Sequence, residues 1–367
     1  MKPGLSRSDA YQLRLAVPPL AEQHCIVAKV GELMALCDQL EAAKTEREQS
    51  RDRLVAASLH LLNSPADAEK DNTPEAFRNH ARFVFNHLPR LTTRPEHIKQ
   101  LRQTILTLAL QGYLSKRIDS DGHASELIDR ITQDSSKKRK SVKNEPNESG
   151  ETLPNLPESW VWVTVNEVAA HTDNAITDGP FGANLKTSHY VETPGYRVIR
   201  LQNIGHGRFR DEYHSYISRE HFQRLAKHHV EPGDLVVAGL VDPLVRCCEV
   251  PQGIGPALVK ADCYRFSVHP EVCSRFALHY LNSPICQDFA AVHHHGMTLL
   301  RIGLGNFRQI PFPLPPLAEQ HRIVAKVDEL MAVCDQLEAQ LTITEADSRR
   351  LLEAVLHEAL NGCIPVT

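Results

Sequence analysis

The chain contains one stretch twice, and this constrains its fold more than any local motif. Residues 17–42 read VPPLAEQHCIVAKVGELMALCDQLEA and residues 314–339 read LPPLAEQHRIVAKVDELMAVCDQLEA, 297 residues apart from Leu20 to Leu317. They differ only at Val17/Leu314, Cys25/Arg322, Gly31/Asp328 and Leu36/Val333. Near-identical copies this far apart bracket what lies between them, so internal repetition comes before any motif.

Each copy predicts a helix. A Pro-Pro pair suits the first helical position, where a missing N–H costs nothing, and Glu22 and Glu319 fall in the positive first turn. In the second copy Ile323, Val327, Leu330, Cys334, Leu337, Leu341, Thr344, Ser348, Leu351 and Val355 recur at alternating spacings of four and three. That is a heptad seam, which requires a partner helix. The first copy keeps Ile26, Val30, Leu33, Cys37 and Leu40, then places Lys44, Arg47 and Arg51 on the same stripe. A helix from Pro316 to Asn361 would be roughly 68 Å long at about 1.5 Å per residue, the length of a spacer or an assembly surface. The candidate partner-binding residues are Ile26, Val30, Leu33, Leu40, Ile323, Val327, Leu330 and Leu337.

The segment LRQTILTLALQGYL at 101–114 resembles LLEAVLHEALNGCI at 351–364, with Leu101/Leu351, Leu106/Leu356, Ala109/Ala359, Leu110/Leu360 and Gly112/Gly362 coinciding. The first helical block thus holds the start and the end of a unit that the terminal block fuses in one helix. Two such segments could lie against one another as antiparallel helices. Between them a helix is expected from Pro74, with Phe77, His80, Ala81, Val84, Phe85 and Leu88 on one face, broken from Pro89 to Pro95. Further helices are expected over 95–112 and 124–131.

Residues 132–151 (TQDSSKKRKSVKNEPNESGE) have no apolar periodicity and read as a linker, its Lys137-Lys138-Arg139-Lys140 run as solvated charge. From about Leu153 to Pro313 short β-branched runs alternate with Pro-Gly and Gly-x-Gly turns. Strands are expected at 160–163, 196–201, 235–238 and 264–268, and helices at 218–228 and 273–293. The expected architecture is α+β: one mixed α/β domain flanked by long antiparallel coiled-coil-like helices. The boundaries are 1–16, a remnant of a preceding domain; 17–131, a helical repeat region; 132–151, the linker; 152–313, the mixed domain; and 314–367, the terminal helix.

Chemistry is excluded more readily than it is assigned. There is no phosphate-cradling G-x-x-x-x-G-K-[ST] loop, no G-x-G-x-x-G and no G-x-S-x-G. No acidic residue stands two places before a lysine, and Leu20 and Leu317, not aromatic residues, follow the Pro-Pro pairs where a base-stacking motif would need a ring. His293-His294-His295 and His228-His229 invite a metal, yet adjacent rings rarely converge on one ion and no cysteine or carboxylate pattern completes a site. No catalytic group, cofactor or metal is therefore assigned. Nine cysteines without a C-x-x-C pair read as reduced thiols. No apolar run near 18 residues and no leader after Met1 is found, so a cytoplasmic protein without a membrane partner is expected. A formal net charge of −4 does not by itself advertise a nucleic-acid binder.

The run Pro313-Leu314-Pro315-Pro316-Leu317-Ala318-Glu319-Gln320-His321-Arg322-Ile323-Val324, ending an α+β module and opening a long helix, resembles the specificity subunit of type I restriction-modification systems. Leu156-Pro157-Glu158-Ser159-Trp160, the Gly179 to Lys186 run, Val198 to Ile204 and Pro232-Gly233-Asp234-Leu235 are similar to that family's target-recognition modules. The resemblance implies a non-catalytic reader of double-stranded DNA whose helices recruit methyltransferase subunits and, through them, a translocase-nuclease. Against the family's two recognition modules, one full module is found here, which implies a half-subunit acting as a homodimer or with a second specificity half-subunit, or else an inactive remnant. A symmetric homodimer would favour a palindromic split site.

Candidate DNA-contacting residues are Lys186, Thr187 and Ser188 after a Gly-rich turn, and Arg200, Gln202 and Asn203, whose forks and amides match guanine or adenine edges. Arg208, Arg246, Thr298 and Arg301 lie in or beside loops. On a strand, Arg200 and Gln202 would share a face and Asn203 would point away. Phe181 reads as core. A helical interaction adaptor without sequence-specific DNA binding, and a metal-dependent hydrolase using the histidines, are the rival readings.

Overall fold

The computed structural model describes residues 11–12, 17–63, 74–133, 153, 155–240, 243–294, 296 and 299–361. The expected remnant at 1–16 and linker at 132–151 fall mostly outside these, as does Thr298. The chain divides into two compact units, Met1–Ser58 and Leu59–Thr367.

The first unit is dominated by helix α1, Leu20–Asn63, of 44 residues. Its start is closed by its own prolines: the Glu22 and Gln23 amides donate to the Pro19 carbonyl, and the Gln23 side chain donates to the Pro18 carbonyl at 2.8 Å. Lys29 and Glu32 pair across one turn at 2.9 Å. The repeat's apolar stripe is uncovered here, with Ile26 47%, Val30 52%, Leu33 51% and Leu40 62% exposed.

In the second unit, α2 spans Pro74–Leu91 and α3 spans Pro95–Leu110. The expected break at Pro89 does not occur there. A proline in the last turn forfeits one bond only, and the helix closes through the Thr92 amide and hydroxyl, which both donate to the Leu88 carbonyl. Helix α3 starts on Pro95 and buries Ile98, Leu101, Ile105 and Leu108. After α4, Ala124–Gln133, the chain enters the mixed region.

That region begins and ends on one small sheet: β1, Val161–Thr164, pairs antiparallel with β11, Pro311–Leu314, with Val161 opposite Leu314. Pro311 and Pro313 are tolerated because a two-stranded sheet has only edges. A second sheet is antiparallel throughout, in the order β2 (Ile176–Asp178), β10 (Cys263–Phe266), β7 (Leu235–Ala238), β8 (Cys247–Glu249). A third has the order β3 (Tyr190–Val191), β5 (Tyr216–Ile217), β4 (Tyr196–Ile199), β9 (Ala257–Val259), β6 (His229–Val230). In it only β4 and β9 run parallel.

Helix α5, Arg219–Arg224, follows β5 with the Ser218 hydroxyl as its N-cap. The helix expected over 273–293 is two: α6, Ser274–Leu281, and α7, Pro284–Val292. Ser283 caps the second by accepting from the Cys286 amide, and Pro284 supplies its first position. A short α8, Leu304–Gln309, leads into β11.

Helix α9, Leu317–Asn361, has 45 residues. Its first half is buried against α3: Ile323, Val327, Cys334 and Leu337 are at most 7% exposed, and Leu330 is half-buried. Arg102 of α3 donates to Asp335 at 2.6 Å and Glu338 at 3.0 Å, while Ser115 beyond α3 reaches Glu319, so the two helices run antiparallel. The heptad seam thus finds its partner within this unit. Burial of each Leu- or Val-sized side chain is worth about 1.5–3 kcal/mol, so Ile323, Val327 and Leu337 belong to the core and do not present themselves to another subunit, while Leu330 lies half-buried at its edge. Past Leu341 the helix is exposed, including Leu351, Leu352 and Val355.

The start of α9 is also fastened by the repeat's polar pair. Glu319 is 4% exposed and accepts from the Trp160 indole at 3.0 Å and the Ser115 hydroxyl at 2.6 Å. Gln320 is fully buried, accepts from the Cys273 amide and donates to the Pro315 carbonyl. In the first copy Glu22 is exposed and only the glutamine-to-proline closure persists.

Candidate nucleic-acid interface

The candidate surface starts where the two parallel strands end. In the register of β4 and β9, Ile199 lies beside Val259, and the Lys260 amide donates to the Ile199 carbonyl at 2.9 Å. Arg200 and Lys260 therefore leave the sheet as neighbours. Parallel strands point their carboxyl ends the same way, so loops and charges collect at that edge.

After Arg200 the chain tightens into a 3-10 turn over Leu201–Asn203. The strand expected to continue to Leu201 stops at Ile199, so the alternation assigned to Arg200, Gln202 and Asn203 does not apply. Asn203 is 1% exposed; its Oδ1 accepts from the Arg200 amide at 3.0 Å, and its Nδ2 donates to the Arg210 and Tyr213 carbonyls at 2.9 and 2.8 Å. All of that amide's reach is spent holding the 204–213 loop, which removes Asn203 from base reading. Arg246 is likewise turned inward, donating to the Ile204 carbonyl at 2.9 Å and the Leu201 carbonyl at 3.2 Å. Arg200 and Gln202 are half-buried beside this clamp, and Arg208 is exposed.

A second loop, 179–189, comes to the same place from β2. Gly179 is required there, because a Cβ at this position would lie 2.0 Å from the Lys260 carbonyl carbon. Phe181, expected in the core, is 45% exposed, and the Arg301 guanidinium lies 5.1 Å from its ring centre. Arg301 is oriented by Asp262, with Nε 2.7 Å from Oδ1. Leu185 anchors the loop by inserting among Val198, Ile217, Phe222, Leu225 and Leu258. That leaves Lys186, Thr187 and Ser188 exposed. The Lys260 ammonium lies 5.7 Å from the Tyr190 ring centre, so Lys260 joins the two loops.

Of the residues expected to contact DNA, the structure leaves Lys186, Thr187 and Ser188 exposed on the 179–189 loop, sets Arg200 beside Lys260 at the strand ends with Gln202 in the turn after it, places Arg301 over Phe181, leaves Arg208 exposed, and assigns Asn203 and Arg246 to internal scaffolding. Lys260, Phe181 and Tyr190 were not foreseen as part of this surface. The sequence signals were the Gly-Pro-Phe-Gly turn, which lifts a ring out of the core, and a lysine directly after a three-residue apolar run. The paired histidines do internal work: His228 Nδ1 bonds the Asp178 carbonyl, His229 Nε2 bonds the Phe222 carbonyl, and His293 Nδ1 bonds the Phe289 carbonyl.

Under this surface sits Asp178. Its Oδ1 accepts from the Gly179 amide at 2.7 Å and the Asp262 amide at 2.9 Å. Burial outweighs those two bonds and pushes its carboxyl up to about 7. A carboxyl with a folded pKa above its unfolded value binds more protons in the folded state between the two, so its contribution to stability falls as pH rises from about 4 to about 7. Asp178→Asn keeps the accepting oxygen without the charge. We expect that variant to show a higher Tm than the parent at pH 8 and a flatter Tm profile between pH 4 and 7, with equal Tm values at pH 8 as the contrary result.

Comparison with known proteins fits this picture. Residues 251–344, from the approach to β9 through the buried half of α9, match the family described as type I restriction modification DNA specificity domain. Over nearly its whole length the chain is similar to two curated proteins of Escherichia coli. It is 27% identical over 366 residues to the type I restriction enzyme EcoEI specificity subunit (97% of this chain, 60% of that protein). It is 28% identical over 362 residues to the EcoAI specificity subunit (94% and 57%). The chain is thus similar to type I restriction-modification specificity subunits. It spans 60% and 57% of the length of those two relatives. A chain solved in a study of the assembly and conformational transition of the type I R-M system aligns with a TM-score of 0.52 at 20% identity, covering 97% of this chain and 63% of that one, a likeness of fold.

Proposed function

We propose that this chain is a non-catalytic DNA-sequence-recognition and scaffold subunit of a type I restriction-modification complex in the cytoplasm. Residues 152–313 read part of a split target in double-stranded DNA, and the repeated helices hold methyltransferase subunits and, through them, a translocase-nuclease. The observation that carries this reading is the cluster at the ends of β4 and β9. There an exposed ring under an arginine plane, two lysines, two hydroxyls and a glutamine amide share one surface. Phosphates take the lysines and hydroxyls, and base edges take the amide and guanidinium groups. Among the described residues no helix is long and apolar enough to cross a membrane. A second reader completes the split target, supplied by another copy of this chain or by a second specificity half-subunit.

Selection from random duplexes, with a cognate methyltransferase present, tests the reading. Enriched sequence is expected; its absence favours a protein-interaction adaptor. Gln202→Ala should relax preference at one base pair by about 1–3 kcal/mol of discrimination. A uniform loss across all sequences would instead make Gln202 a backbone contact.

A further inference from the structure

Beside the base-reading cluster, and sharing Lys186 with it, lies a group of cationic and imidazole side chains of which the reading above does not use His189, His221 and Arg224. The turn Thr187–His189 brings His189 against His221 of α5, with ring centres 4.2 Å apart at 41°. His189 Nδ1 accepts from the Lys186 amide at 3.1 Å. The neutral ring therefore carries its proton on Nε2, the nitrogen that the turn leaves without a partner. His221 Nε2 donates to the Asn184 carbonyl at 2.8 Å, which fixes its ring across the same loop. Lys186, Arg224 and His221 are the charged groups acting on His189, and no carboxylate is among them. Among the described residues neither Lys186 nor Arg224 has a salt-bridge partner, and Lys260 adds its charge one residue further along, over Tyr190.

Four like-charged or chargeable groups from two elements, the 186–189 turn and α5, meet without an acid to balance them. A chain with net charge −4 has ample carboxylates to pair with them, so the imbalance calls for an external anion. Thr187 and Ser188 add exposed hydroxyls between Lys186 and His189. The arrangement is that of a phosphate contact, which positions a duplex without reading it.

We propose that Lys186, His189, His221 and Arg224 form a phosphodiester-binding cradle, set beside the base-reading cluster, that takes up protons when DNA is bound. This rests on the DNA reading of the neighbouring surface. Its proton linkage comes from the geometry: a bound phosphodiester neutralises the cations around His189 and stabilises the imidazolium form of that ring. Burial and the neighbouring His221, Lys186 and Arg224 charges hold the His189 ring below its ordinary value in the free protein. The bound state therefore holds more protons than the free state, and affinity rises as pH falls toward the free-state value.

The probe is a random-sequence duplex of about 20 base pairs, bound to the full chain at fixed salt, with inorganic phosphate as a second ligand. Binding is expected to strengthen about tenfold from pH 8 to pH 6, and His189→Gln with His221→Gln should reduce that change to under about twofold. Lys186→Gln with Arg224→Gln should lower the slope of log affinity against log salt by about 1.8, at about 0.9 per phosphate contact. Imidazole NMR should show the His189 ring titrating at higher pH with the duplex than without it. A His189 titration unmoved by duplex, together with an unchanged salt slope in the lysine-arginine variant, overturns the cradle. A duplex response that inorganic phosphate reproduces in part supports it. Loss of sequence enrichment with the pH response intact would sink the base-reading assignment and leave the cradle standing.

Discussion

Val327→Asp is expected to destabilise the protein by about 4 kcal/mol or more, whereas Val30→Asp, at the same place in the repeat, should change stability by less than about 0.5 kcal/mol. Val327 is fully buried in the half of α9 that packs on α3 and α6, while Val30 is 52% exposed. A carboxylate placed at 327 either remains charged without a partner or is neutralised at a cost; at 30 it meets water. The two positions lie in the same local sequence, Ile-Val-Ala-Lys-Val, so helix propensity cancels from the comparison and only tertiary cover remains. Urea unfolding of the two variants measures the difference directly. Equal small effects would mean that α3 does not permanently cover α9. Charges at Leu330 and Leu337, positions the seam offered as a partner surface, act mainly on this same internal packing.

That comparison shows what could and could not be read from the residues. The repeat, the two long helices and their Pro-Pro starts were legible, because a 3.6-residue period and N-terminal prolines are local signals. Which copy of the stripe is covered was not, because burial depends on what else the chain brings there: α3 for one copy, nothing among its own unit's described residues for the other. The strands were partly legible. Leu235–Ala238 is a fully buried apolar run, whereas β3, β5 and β6 have two residues each, too few for any alternation to appear. The break between α6 and α7 was written in the sequence as Ser283-Pro284, a cap followed by a first-turn proline, and a continuous apolar pattern masked it. At the candidate interface, residue type pointed to the right loops but not to side-chain direction. Asn203 and Gln202 are chemically alike and adjacent, yet the 3-10 turn buries one and leaves the other half-accessible, a distinction that only backbone geometry makes.

The uncovered copy of the stripe carries the last expectation. On α9 the residues Ile323, Val327, Cys334 and Leu337 require a helix across them, and α3 supplies it. On α1 the same residue types at the same spacing, Ile26, Val30, Cys37 and Leu40 with Leu33 between, stand in water along five successive seam positions. Isolated exposed apolar side chains are ordinary, but a contiguous stripe of this kind marks an interaction surface. If it holds a methyltransferase subunit, as proposed here, Leu33→Asp combined with Leu40→Asp removes two central anchors and puts charge in the contact. Anchor residues of this kind are worth about 2 kcal/mol or more each. Allowing for incomplete additivity, capture of the methyltransferase should weaken at least about a hundredfold. Because both side chains are more than half exposed, the melting temperature of the chain alone should stay unchanged. Pull-down with the cognate methyltransferase reads the first effect and calorimetry the second. Light scattering on the isolated chain separates the two occupants: a dimer that becomes a monomer in the double variant assigns the stripe to a second copy of the chain, whereas an unchanged mass with lost methyltransferase capture assigns it to that subunit. Retention of the methyltransferase at parental affinity, with no change in mass, would show that the exposed repeat is not the docking surface.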